Sequence, residues 1–199
     1  MAEPLVTEPS VSLIVGLGNP GPNYELTRHN IGFLAVDYVV EILGGKWEKA
    51  SQFQALVAKV NLDGRPIVFL KPQTYMNLSG TAVAMYARYY RLTTQNFAVV
   101  YDDITVNLGQ LKCGIRQTAG SHNGMRSITQ QIGADFFRFR MGVGPKVPDA
   151  IQLADFVLSS FTKDQLAALP KIFEDFFQKL KLLLAYGPTK VMNTIRSSA

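Results

Sequence analysis

SLIVGLGNPGPNYELTRHNIGF, residues Ser12–Phe33, decides how the rest of the chain is to be read. The apolar run Val11–Leu17 stops abruptly among Gly16, Gly18, Pro20, Gly21 and Pro22, so the backbone leaves a buried strand and enters a loop. From Ile31 onward Leu34, Val36, Val39, Ile42 and Leu43 recur at helical spacing, and Gly44-Gly45 supplies a stop. The stretch therefore predicts strand, loop and helix. Such a loop belongs at the carboxyl edge of a sheet, where α/β proteins keep their ligands, and it presents Asn19, Tyr24, Arg28, His29 and Asn30.

The same glycines, Gly16-x-Gly18-x-x-Gly21, spell the dinucleotide-binding fingerprint. That motif needs a helix to begin within the glycines, so that its first N–H groups meet a pyrophosphate. Pro20 and Pro22 remove two of those groups, and the helical pattern starts well downstream. A nucleotide-binding oxidoreductase is set aside on this ground.

Beyond the opening unit, Gln54–Asn61 alternates, Asp63-Gly64 is a hairpin turn signal, and Pro66–Leu70 is a second apolar run. The hairpin delivers the polar loop Lys71–Gly80, with Ser79 as the expected N-cap of a helix over Thr81–Tyr90. Phe97–Tyr101 reads as a buried strand ending in Asp102-Asp103, Gly109–Arg116 as a further strand, and Met125–Ile132 as a short helix. Phe136–Val143 alternates phenylalanine with basic residues, which predicts one buried and one positive face. Gly144–Asp149 is a proline-punctuated loop and Ala154–Leu158 a short apolar segment. Thr162-Lys163-Asp164-Gln165 has the form of a capping box, and the helix it opens should be broken or kinked at Pro170 and stopped by Gly187-Pro188. Helices alternating with strands, plus one hairpin, predict an α/β fold with a mixed sheet.

At 199 residues and 47% hydrophobic content the chain suits one well-buried domain, expected over residues 12–190, behind a flexible tail at 1–11. The single cysteine, Cys113, excludes an intramolecular disulfide and suits a reducing cytoplasm. No run approaches the ~18–20 apolar residues of a membrane span. Between Arg88 and Lys146 eight basic residues face three acids, which accounts for the whole net charge of +5. A charge so placed fits a polyanionic partner such as nucleic acid, or else a solvated basic face.

Only two histidines exist, His29 and His122, and neither zinc-ligand spacing nor a Gly-x-Ser-x-Gly elbow is present. Cys113 falls within a strand, where a cysteine is usually a small apolar residue. What remains is His29 as a general base acting on water, with Asp102 as the partner at the same sheet edge and Asp103 as its rival. Asn19, Asn77 and Asn123 follow strands in separate loops, each able to serve a peptide, a water or an oxyanion, or simply to cap a turn.

Three blocks together resemble the bacterial-type peptidyl-tRNA hydrolase family. They are Gly16–Gly21 continuing through Tyr24 and Thr27-Arg28-His29-Asn30-x-Gly32, then Lys71-Pro72-x-Thr74-Tyr75-Met76-Asn77-x-Ser79-Gly80, and Asp102-Asp103 followed by His122-Asn123-Gly124. The resemblance implies a single α/β domain, its mixed twisted sheet sandwiched between helices, and hydrolysis of the ester between peptide and tRNA without metal or organic cofactor. It implies catalytic roles for His29, Asp102 and Asn19, and substrate contacts by Tyr24, Tyr75, Met76, Asn77 and Asn123. Lys112, Arg116, Arg140 and Lys146 become the expected tRNA phosphate contacts, and Lys146–Leu158 a cover over the cleft. The protein is expected to act as a cytoplasmic monomer, with peptidyl-tRNA as partner and no obligate protein partner. A non-catalytic RNA-binding protein on the same scaffold, of the organellar intron-splicing type, is the alternative. The chain departs from the family pattern at Gly114, Gln117 and Ser121.

Overall fold

The computed structural model describes residues 11–116, 118–146 and 150–196. Among them the strands are β1 (Leu13–Gly16), β2 (Glu48–Ala50), β3 (Ala55–Leu62), β4 (Arg65–Pro72), β5 (Phe97–Asn107), β6 (Leu111–Ile115) and β7 (Phe137–Gly144). The helices are α1 (Ile31–Ile42), α2 (Ser79–Tyr90), α3 (Asn123–Ile132), α4 (Leu153–Leu158) and α5 (Lys163–Arg196). One mixed sheet runs β2-β3-β4-β1-β5-β7-β6, with β1 parallel to both β4 and β5. From central β1 the chain reaches β4 on one side and β5 on the other, so the carboxyl end of β1 is a switch point with an open crevice.

Side-chain alternation along the strands divides the interior into two cores. Ile14, Ala98, Val100, Phe137 and Phe139 pack with α1 and α5, whereas Leu13, Val15, Phe97, Val99 and Tyr101 pack with α2 and α3. Asp102 thus shares the face of Val100, toward α1, and Asp103 points the other way. Beyond Val100 the pairing with β1 ends, which leaves Asp102 under the loop that follows β1.

Several expectations change. Phe97–Tyr101 does not end at Asp102-Asp103: β5 continues to Asn107 because β7 takes over the pairing, Asp102 opposite Met141 and Asp103 opposite Gly142. Ser79 is the first residue of α2 rather than its cap, and the cap position, Leu78, makes no side-chain bond. The positive face expected on β7 fails at Arg138, which is 0% exposed, because an interior strand is covered on both sides. Its guanidinium is held instead by the carbonyls of Thr118 and Ala134 and stacks on Phe136. Pro170, exposed to solvent, leaves α5 unbroken; the interruption falls at Gly187 (φ 76°), after which helix resumes. The capping box does form, with Gln165 and Thr162 bonding each other's backbone. β2 was not anticipated, since three residues reading Glu-Lys-Ala carry no strand signal. Residues 1–10 of the expected tail, Gln117 and residues 147–149 of the expected cover lie outside the described residues.

Gly32 sets how closely α1 approaches the seam between β1 and β5. A Cβ there would lie 2.6 Å from both the amide nitrogen and the carbonyl oxygen of Leu17, and against Val100 O. Gly32→Ala should therefore destabilise the protein by about 1–3 kcal/mol through overpacking. Urea unfolding would read this, and a midpoint equal to the parent's would refute the close approach.

Candidate active site

His29 sits in a 3₁₀ turn, Arg28–Asn30, that leads into α1. The turn is fixed by its neighbour Asn30, whose amide clasps Asn19 across the loop: Asn19 N–H donates to Asn30 Oδ1 at 2.8 Å and Asn30 Nδ2 donates to Asn19 O at 2.9 Å. From there His29 Nδ1 reaches Asp102 Oδ1 at 2.8 Å, with His29 8% and Asp102 3% exposed. The same carboxylate oxygen meets His122 Nε2 at 2.9 Å. Asp102 is therefore shared by two imidazoles, whose rings lie 4.9 Å apart.

The hydrogen bonds settle which nitrogens carry protons. Met125 N–H donates to His122 Nδ1 at 3.2 Å, as an N-cap of α3, so His122 donates to Asp102 through Nε2–H. His29 donates through Nδ1–H, which leaves its Nε2 as the basic lone pair. Burial draws the His29 pKa down, but the charge of Asp102 and its hydrogen bond outweigh this and raise it above the ordinary value. Burial alone would raise Asp102; the two histidines, by charge and hydrogen bond, hold it well below the usual carboxylate range. Asp103 makes no contact with either ring and instead accepts from Arg140 Nε at 2.7 Å and from Thr105.

The asparagines divide by role. Asn19 Oδ1 accepts from Met76 N at 2.8 Å, which ties the loop after β1 to the loop after β4 and leaves Nδ2 without a partner among the described residues. Asn77 and Asn123 are exposed, and Asn123 lines a cleft of about 740 Å³ together with His29, Asp102 and His122. Tyr24 and Tyr75 meet edge to face at 6.3 Å, Tyr75 being 58% exposed, while Met76, the next residue, is 4% exposed. The Cys113 thiol is pushed up to about 12 by burial, far from a thiolate nucleophile. His29, Asp102 and His122 offer donor atoms within 4.8 Å of one another, but a metal would have to displace both N–H protons from the carboxylate.

Comparison with known proteins then decides the kinship: the family model for peptidyl-tRNA hydrolase matches residues 13–199. The chain belongs to the peptidyl-tRNA hydrolase family. It is 44% identical over 168 residues to the peptidyl-tRNA hydrolase of Bdellovibrio bacteriovorus, covering 84% of this chain and 87% of that one. It is 39% identical over 186 residues to that of a Thermotoga species, covering 93% and 97%. The crystal structure of peptidyl-tRNA hydrolase from Acinetobacter baumannii superposes with a TM-score of 0.87 at 31% identity, covering 93% of this chain and 94% of that one.

Within this peptidyl-tRNA hydrolase fold the expected phosphate contacts are dispersed. Lys112 is exposed on edge strand β6, opposite Arg140 in register. Arg116 is exposed and bonded to Asp135, Arg140 is engaged by Asp103, and Lys146 Nζ donates to Ile151 O at 2.8 Å. Of these four, Arg140 lines the cleft, joined by Arg126, which the sequence-based site lacked. Arg126 follows Asn123 by one helical turn, and that spacing was the available signal. His122 was also missed as a partner of Asp102, because nothing in the spacing shows that both histidine loops converge on one oxygen.

Proposed function

We propose that the chain hydrolyses the ester between a peptide and the 3′ end of tRNA, with His29 as the general base. Family membership sets the reaction class, a carboxylic ester hydrolysis. The observation that carries the residue assignment is the 2.8 Å contact between His29 Nδ1 and buried Asp102, which leaves Nε2 basic. Nε2 takes a proton from water as the water oxygen bonds to the ester carbonyl carbon, and ionised Asp102 stabilises the imidazolium that forms. His122 holds the carboxylate from its other side. Asn19, through its free Nδ2, and Asn123 supply donors to the developing oxyanion, while Tyr24, Tyr75, Met76 and Asn77 contact the peptidyl end. Collapse breaks the C–O bond, and the ribose oxygen leaves with the proton returned from His29. A non-catalytic RNA binder would have no use for this buried pairing.

Release of the amino acid from N-acetyl-aminoacyl-tRNA, but not from free aminoacyl-tRNA, tests the reading; equal rates on both would refute it. No helix among the described residues is long and apolar enough to cross a membrane. The protein is taken to act in the cytoplasm as a monomer, and a dimer mass by light scattering would overturn the second point.

Lys112, Arg116, Arg140 and Lys146, with Arg126, are assigned to the tRNA phosphates. Replacing exposed Lys112 and Arg116 by alanine should raise KM for tRNA esters and leave kcat largely intact, because such contacts are equal in ground and transition states. Each lost contact should flatten the slope of log K against log salt by roughly 0.7–0.9. Unchanged binding with an unchanged salt slope would leave these two residues as solubility features.

A further inference from the structure

Arg28, next to the base, is 9% exposed, and no carboxylate meets its guanidinium among the described residues. Nη1 donates to Ser159 O at 3.1 Å, Ser159 Oγ at 2.6 Å and Ser160 O at 2.9 Å, and Nη2 donates to Gln165 Oε1 at 3.0 Å. The guanidinium lies over Phe156 at 4.9 Å and Phe161 at 5.4 Å. All of these partners come from the end of α4, the turn after it and the first turn of α5. Gln165 Oε1 also accepts from Thr162 N–H at 3.0 Å, so the capping box of α5 is stitched to Arg28 as well. The backbone follows the same seam: Arg28 N–H donates to Ser159 O at 3.1 Å, Phe161 N–H donates to Leu26 O at 2.9 Å, and Thr27 bridges Ser160.

This arrangement links two parts of the cleft that the chain separates widely. α4 supplies Leu153, Ala154 and Val157 to the cleft wall, and His29 lies one residue after Arg28. A cation withdrawn from water is costly unless its donors are satisfied, so a clasp this well supplied must be held in one geometry. Lysine could not replace it, since a single ammonium cannot span both acceptor sets and stack between two rings. We propose that Arg28 is a positioning residue: it holds the α4 wall at a fixed place relative to His29, so that ester and base meet in reactive geometry. The proposal rests on His29 being the base.

Arg28→Lys and the milder Ser159→Ala test it, through steady-state kinetics on N-acetyl-aminoacyl-tRNA across pH and hydrogen–deuterium exchange. For Arg28→Lys, kcat/KM should fall on the order of ten- to a hundred-fold, as displacements near an ångström at a reacting centre do. The pH midpoint should stay in place, because Arg28 does not touch the imidazole. Exchange should quicken over residues 150–161 and not in β1 or β5, and Ser159→Ala should shift both readouts the same way by less. Parent-like kcat/KM in folded Arg28→Lys overturns the proposal, as does exchange that quickens across the whole sheet, which would mark a general stability role. Should Arg28→Lys fail to fold, parent-like kinetics and exchange in Ser159→Ala overturn it. If His29→Ala proves active, the base assignment fails by itself, while the exchange experiment still decides whether the clasp holds α4.

Discussion

His29→Ala is expected to lower kcat by on the order of 10²–10⁴ while tRNA binding changes little. The imidazole is the group whose lone pair is left free by its own hydrogen bonding: Nδ1–H is committed to Asp102 at 2.8 Å, and Nε2 is available to water. His122 cannot take over, because its Nε2–H faces the same carboxylate and its Nδ1 accepts from the α3 backbone. Alanine removes the proton acceptor and leaves the surface that meets the tRNA body intact, so the loss belongs in kcat. Steady-state assays on N-acetyl-aminoacyl-tRNA read it directly, and activity within a few-fold of the parent would remove His29 from the mechanism.

Asp102→Asn should cost a similar order, 10²–10⁴ in kcat, and should also move the pH profile. The sign follows from the forces on His29. Burial favours its neutral form and the Asp102 charge favours the imidazolium; in the parent the charge wins and the pKa is raised. A raised pKa means that the base is protonated, and activity lost, as pH falls through a value above the ordinary one for histidine. Asparagine keeps the shape and removes the charge while burial remains, so the rising limb of kcat/KM should shift to lower pH. Asp103→Asn is the control: its carboxylate bonds Arg140 and Thr105 on the opposite face, so the limb should stay where it is. A larger effect from Asp103→Asn would mean that the wrong acid has been chosen.

Much of this site is legible in the sequence because it depends on local rules. The glycines and prolines after Leu17 announce a loop at a strand end, and strand alternation separates Asp102 from Asp103. The failures have physical causes of their own. Nothing local shows that β7 inserts beside β5, which is why the strand runs past Asp103 to Asn107 and why Arg138 is buried rather than part of a positive face. Nor does spacing show that His122 and His29 share one oxygen, since the loops that carry them are brought together only by the sheet. The basic segment is legible as charge but its placement is not: Arg140 lies in the cleft paired with Asp103, and Arg116 lies on the surface beside Asp135.

The strand order also governs when this protein becomes competent during its own synthesis. β7 leaves the ribosome after β6 yet must slot between β6 and β5, and β1, first to emerge, finds its second partner only when β5 arrives. Parallel pairings of this kind wait for distant chain and form slowly. Gln165, which helps hold Arg28, comes later still. A growing copy is itself a peptide esterified to tRNA, and the strand order keeps His29, Asp102 and His122 from converging until most of the chain has been made.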